Sequence, residues 1–197
     1  MPQIDLHTHT THSDGRNTVS ELIRQAEANE LSAVAITDHF QRVTPTGLMD
    51  YVRDVKESAR QFSVPALVGI EIHPSEDLAF PSIDKARGVD LILADALGKN
   101  VKFLRGMAER ESVFEHVSRV HERMCAIPEV DIIAHPLNLG RLEVVSSLRD
   151  IDPWLVEHLI DHARKGAKHL EVMSGMTWWF PRSPPSRLTE EYTDFVK

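Results

Sequence analysis

Two histidines one residue apart, His7 and His9, are the first side chains in this sequence whose types and spacing could do chemistry. Ile4 and Leu6 alternate with polar neighbours, which predicts a short buried strand whose successive side chains face opposite ways. On such a strand both imidazoles leave from one face, and two adjacent nitrogens can chelate one metal ion at roughly 2.0–2.2 Å each. Ser13-Asp14-Gly15 follows, placing a carboxylate in a turn where Gly takes backbone conformations that other residues resist. Polar groups recur at the ends of later apolar runs: Thr37-Asp38-His39, Glu71-Ile72-His73, Asp95, and His135-Pro136. Glu71 interrupts an apolar segment, where an isolated carboxylate is costly. A cation satisfies it most simply, and a carboxylate bridging two metals has the same look. His73 reads equally as a further ligand or as a solvated loop residue. Asp38 reads as part of the site or as a turn residue satisfying backbone donors.

The elements that must position these groups alternate in type. After the first strand, Thr18 or Asn17 can cap a helix over 20–28, with Leu22, Ile23, Ala26 and Leu31 on its apolar side. Strands are expected at 32–36, 66–70, 90–94, 130–134 and 169–173. Helices are expected over 47–60, 108–124 and 153–164, the last with Pro153 in its first turn, where helix starts favour it. His116 and His121 lie about 140° apart around the 108–124 helix, poor partners for one metal, and read as structural or solvated. A short helix is expected from Ser186 to the end, after a tail carrying Trp178, Trp179 and Phe180. Strand–helix alternation with polar strand ends predicts an α/β fold: a parallel sheet closed into a barrel-like layer, its site at the C-terminal rim of the strands.

Composition bounds the rest. The 197 residues fit one domain with a substantial core, and 42% hydrophobic with 26% charged residues is ordinary for a globular chain. A net charge of −8 argues against a generic nucleic-acid surface, which needs clustered Lys and Arg. It leaves room for a phosphate-bearing substrate, because bound divalent cations invert the local charge of a pocket. The single cysteine, Cys125, excludes an intramolecular disulfide and suits a reducing compartment. With neither a signal-like start nor a membrane-spanning apolar run, the expected location is the cytoplasm.

In this order, His7-x-His9, Ser13-Asp14-Gly15, Thr37-Asp38-His39, Gly69-Ile70-Glu71 and Ala134-His135-Pro136 resemble the polymerase-and-histidinol-phosphatase (PHP) superfamily across essentially the whole chain. The resemblance implies a single domain over 1–197 with a distorted (β/α)7-type barrel of parallel strands. It implies two or three divalent metal ions (Mn, Zn or Fe) that hydrolyse phosphoesters with metal-activated water. Carried over residue by residue, His7 and His9 resemble ligands of a first metal, Glu71 a bridge, His135 a ligand of a second, and Asp14 and His39 ligands of a third. Asp38 is expected to orient a ligand, and Asp14, Asp38 and Glu71 are the expected catalytic carboxylates.

Two departures stand out. Where the family has a histidine in an HxLG-like stretch, this chain has Asp95-Ala96-Leu97-Gly98. Asp95 is a competent substitute ligand, whereas an alternative alignment puts Leu97 there, which coordinates nothing. The family's closing Gly-Ser-Asp-x-His-like motif is absent after Glu171-Val172-Met173-Ser174, so the barrel is expected to lack its last strand. Arg16, Lys99 and Arg141 are candidate cations for the remaining substrate charge. The expected partner is a small phosphorylated molecule, such as a nucleotide or a sugar or alcohol phosphate, and no membrane. Oligomeric state is not legible in the sequence. The competing expectations are a non-catalytic PHP module of a larger assembly and a C–N hydrolase of the amidohydrolase type, against which the Ser-Asp-Gly and Thr-Asp-His elements count.

Overall fold

The computed structural model describes residues 3–43, 47–75, 78–97, 104, 106, 109–142 and 145–171. The chain divides into two compact units: residues 1–72 with 82–93, and residues 73–81 with 94–197.

The first unit holds strands β1 (Ile4–Thr8), β2 (Ala33–Ile36) and β3 (Ala66–Ile72), helices α1 (Val19–Ala28), α2 (Phe40–Val43) and α3 (Leu48–Ala59), and the start of β4 (Leu91–Asp95). The strands lie in chain order, as parallel strands joined by crossover helices do. β2 pairs with β3 in an even register from Val34↔Ala66 to Ile36↔Val68. β1 does not keep step: Asp5 opposes Val34 and Thr8 opposes Ile36, so one extra residue is inserted in β1 between them. That bulge falls at Leu6–His7, and bulges of this kind re-aim side chains near functional sites. β2 is apolar on both faces and β3 is apolar apart from Glu71, with Ala35, Ile36, Val68, Ile70 and Ile72 all buried. α1 starts where the sequence indicates: Thr18 Oγ1 accepts from Glu21 N, and Glu21 Oε2 accepts from Thr18 N at 2.8 Å, a reciprocal cap. α3 buries Tyr51, Val52 and Val55 on one side.

The second unit holds α4 (Arg110–Cys125), β5 (Ile132–Ala134), α5 (Pro153–Gly166) and β6 (His169–Leu170), with β5 and β6 parallel in the register Ile132↔His169 and Ile133↔Leu170. α4 and α5 pack closely. A side chain at Gly166 would collide with the Cys125 carbonyl oxygen, so only glycine lets α5 approach the end of α4. Lys168 Nζ donates to the carbonyls of Ile127 (2.7 Å) and Val130 (2.8 Å) just past the end of α4. Cys125 is buried there, and burial pushes its thiol pKa up to about 11. His121, buried on α4, donates from Nδ1 to the Val117 carbonyl at 2.8 Å, and burial drives its pKa down to about 4. It is structural, one of the two expected roles.

The α/β class with parallel strands therefore stands. Six strands of the (β/α)7-type pattern lie among the described residues, each where an apolar run indicated one. The expected extension of the sixth strand to residue 173, the aromatic cluster at 178–180 and the helix from Ser186 lie outside the described residues, as does the expected start of α4 at residue 108. No helix among the described residues is long and apolar enough to cross a membrane.

Candidate metal centre

Three chain segments of the first unit deliver ligand-type side chains to one place. The bulged β1 brings His7, the residues just past it bring His9 and Asp14, the end of β2 leads to His39, and β3 carries Glu71. His7 Nε2 and His9 Nε2 approach to 3.1 Å. The two imidazoles converge as alternation indicates, although the bulge intervenes and β1 ends before His9. Glu71 Oε2 lies 3.5 Å from His7 Nε2, 3.4 Å from His9 Nε2 and 2.8 Å from His39 Nδ1. Asp14 faces two of these imidazoles from the open side, with Oδ2 3.3 Å from His39 Nε2 and Oδ1 3.7 Å from His9 Nδ1. Glu71 is buried while the Asp14 side chain is half exposed, so the cluster has a closed floor and an open mouth.

The local fold explains why these groups meet. Past Ile36, chain 37–39 continues beside β3: Thr37 N donates to Thr8 O at 2.8 Å, Glu71 N donates to Asp38 O at 3.1 Å, and His39 bridges to Glu71. Asp38 is fully buried. Its carboxylate accepts from Thr10 N at 2.8 Å, from Thr10 Oγ1 at 2.6 Å and from Ser13 Oγ. One buried charge thus organises the loop from His9 to Gly15, and its hydrogen bonds offset the desolvation cost of the carboxylate. The reading of Asp38 as a residue that satisfies backbone donors is what the geometry displays, and the donor belongs to the loop that carries His9 and Asp14. Gly15 N donates to Thr10 O at 2.9 Å, and a Cβ at Gly15 would collide with the His9 carbonyl. The glycine is demanded by close approach. Its backbone is not left-handed, contrary to the turn argument made from sequence.

Burial lowers the pKa of His9, and the nearby His7 and His39 lower it further, against the opposing pull of Glu71 and Asp14. A neutral imidazole keeps a lone pair for a metal. The donor set matches a borderline divalent cation: the ligand atoms of His7, His9 and Glu71 all lie within 4.8 Å of one another, and so do those of His9, Asp14 and His39.

In the second unit the expected residues are fewer. Asp95 is buried, with Oδ1 3.6 Å from His135 Nδ1 and accepting from Leu97 N at 2.8 Å. Leu97, the residue of the alternative alignment, belongs to the hydrophobic core. His135 has a positive φ of 30°, a strained conformation for a non-glycine residue, and its N–H donates to Glu171 Oε2 at 2.6 Å. Sequence reading passed over Glu171 as a strand residue. An acid at the end of an apolar strand was the available signal.

Of the other candidates, Arg16 is exposed on the site loop, and Lys99 and the side chain of Arg141 lie outside the described residues. His73 is half-buried and joins no candidate metal group among the described residues. Sequence reading missed Arg42, whose Nη1 donates to Ser13 O at 3.4 Å, and the pair His12–Asp54 (2.7 Å), which ties the loop to α3. Thr10 and Tyr51 also escaped it.

Comparison with known proteins gives one match of family scale: the model described as PHP domain matches residues 5–134. An uncharacterised protein of Methanocaldococcus jannaschii is 29% identical over 153 residues, 76% of this chain. The chain covers 65% of that relative, under two thirds of its length. Among solved structures, a candidate metal-dependent phosphoesterase from Bifidobacterium adolescentis aligns at 19% identity and a TM-score of 0.40, over 86% of this chain and 85% of its own. The YdjI aldolase of Escherichia coli K12 aligns at 14% and 0.38, over 97% and 85%.

Proposed function

The chain belongs to the PHP domain family, and from that membership and the geometry above we propose that it is a metal-dependent phosphoesterase hydrolysing a small phosphorylated substrate. The observation that carries the reading is one oxygen, Glu71 Oε2, within 3.5 Å of imidazole nitrogens from His7, His9 and His39. Packing three imidazoles around a buried carboxylate serves no hydrophobic purpose and suits a divalent cation. In this proposal His7, His9, Asp14, His39 and Glu71 hold metal in the first unit, and Asp95 and His135 supply ligands in the second. The ions are two or three of Mn, Zn or Fe. Bound there, they would lower the pKa of water for attack on phosphorus and offset charge on the phosphoryl oxygens.

The chain's own residues bind and position. Glu71 draws three imidazoles together, and Asp38 holds the loop that carries His9 and Asp14. Asp14, at the open mouth, is the carboxylate that meets the substrate side of the cluster. Arg16 and Arg42 supply positive charge on or against that loop, and Lys99 and Arg141 are the further candidates for the substrate's remaining charge. Nucleotides and sugar or alcohol phosphates are the substrates to try, in keeping with a net charge of −8.

The test is hydrolysis of p-nitrophenyl phosphate and a panel of nucleotide and sugar phosphates, alongside elemental analysis of the protein. We expect at least two metal equivalents per chain, and activity that is lost on chelation, returns with Mn or Zn, and disappears in His9→Ala. A protein that retains metal but hydrolyses none of these substrates would overturn the enzymatic reading in favour of a metal-binding module.

A further inference from the structure

The register of β2 against β3 calls for the Asp38 N–H to bond next to the Gly69 carbonyl, since Ile36 opposes Val68 and His39 opposes Glu71 with the same offset. A side chain from α3 stands there instead. The hydroxyl of Tyr51 accepts from Asp38 N at 3.3 Å and lies 2.8 Å from Gly69 O and 2.8 Å from Ile36 O, with one proton to share between the two carbonyls. The ring is fully buried, 1% exposed. Burial, with the Asp38 charge nearby, holds the phenol pKa well above its usual value, so it remains a donor at any working pH.

We propose that Tyr51 is a positioning residue for the metal cluster: its hydroxyl is an inserted rung that sets the spacing between the chain carrying Asp38 and His39 and the strand carrying Glu71. The consequences propagate through short paths. At the rung itself, Asp38 anchors Thr10 and Ser13 through its carboxylate, and two residues beyond Gly69 lies Glu71. His39 Nδ1 and Glu71 Oε2, 2.8 Å apart, therefore sit on the two segments that the hydroxyl separates. The same helix touches the site loop from outside, since His12 packs edge-on against the Tyr51 ring with centroids 5.3 Å apart and bonds Asp54 one turn on. A phenylalanine would fill the same volume and leave Asp38 N to seek Gly69 O directly, closing the strands where the ligands emerge.

This inference rests on the reading of the cluster as a metal site, and the experiment separates the two. Zinc is titrated into the wild-type, Tyr51→Phe and Val55→Ala chains in competition with a chromophoric chelator, with circular dichroism and melting recorded on each. Groups that orient metal ligands typically contribute 10–100-fold in affinity. Tyr51→Phe is expected to keep its fold and weaken zinc binding at least about tenfold. Val55→Ala, a truncation of the buried face of the same helix, is expected to lower Tm and leave zinc affinity unchanged. Equal zinc affinity in wild type and Tyr51→Phe, or equal weakening in both variants, overturns the proposal. A wild-type chain that binds no zinc overturns the metal reading first, and this inference with it. Should Tyr51→Phe fail to fold, 3-fluorotyrosine incorporated into a Tyr192→Phe chain labels position 51 alone, since the sequence has two tyrosines. Its fluorine resonance is expected to move on zinc addition, and a stationary one overturns the proposal.

Discussion

The two units hold their candidate ligands by different means. In the first, five ligand-type side chains are fixed by a buried network: Asp38 on Thr10 and Ser13, the Tyr51 hydroxyl between strands, and Thr37 paired with both the N–H and the carbonyl of Thr8 at 2.9 and 3.0 Å. In the second, Asp95 accepts from Leu97 N, and His135 holds a positive φ of 30° with its N–H on Glu171 and its carbonyl accepting from Asn138 N. A pocket floor braced by many hydrogen bonds is preorganised before a metal arrives. A strained backbone conformation persists only while its surroundings enforce it, so a change nearby shifts it more readily. The first unit is therefore the place where substitution should abolish metal binding outright, and the second the place where it should tune it.

Substitutions of two buried carboxylates, Glu71 and Asp95, break or sharpen that contrast most strongly. Glu71→Gln should remove the charge shared by three imidazoles and reduce hydrolysis by about 10³-fold or more, with metal content falling at the same time. Asp95→Asn should cost less, on the order of 10–100-fold, and leave the zinc affinity of the first-unit cluster intact. Equal losses in steady-state kinetics and metal analysis would erase the distinction between the units.

Gly15→Ala comes next. The added methyl must displace the His9 carbonyl or the loop around it, an overpacking that typically costs about 1–3 kcal/mol. Urea unfolding should show that loss together with weakened metal binding, because the displaced group belongs to a ligand residue. Wild-type stability in Gly15→Ala would mean the loop yields more easily than the Asp38 network implies.

The effect expected to touch metal binding and hydrolysis least is a pH dependence of stability centred on the second unit. His121 has a folded pKa of about 4 against an ordinary 6.5, so the unfolded chain binds the extra proton first as pH falls. Stability is accordingly full above about pH 6.5 and is lost progressively down to about pH 4, a span worth roughly 3 kcal/mol. Burial of His9 acts in the same direction in the first unit. Urea melts between pH 7 and pH 4 should follow this slope, and His121→Gln should flatten it. An unchanged slope in that variant would place the acid sensitivity elsewhere.

Much of this was legible in the sequence because it is written in local patterns. Apolar runs ending in Thr37-Asp38-His39, Glu71 and His135 announce strands and the side chains at their tips, and both the strands and the convergence of His7, His9, His39 and Glu71 follow. What escaped is tertiary. Tyr51 shows only as one apolar position on a helix face, and nothing local says that its hydroxyl enters a strand ladder. The extra residue at Leu6–His7 leaves the alternation of side chains superficially intact. Glu171 matters only because it follows β6, which lies beside the strand that leads into His135, and Thr10 because a carboxylate 28 positions away is buried against it.

The close seat of Gly166 against the end of α4 has a practical corollary. With the one thiol in the sequence sealed beneath it and its pKa pushed up to about 11, electrophiles meet almost no thiolate while the chain is folded. Alkylation of Cys125 then proceeds only as fast as that helix pair parts. The residue is a built-in stopwatch for the opening of the second unit, read by mass without adding a label to the native chain.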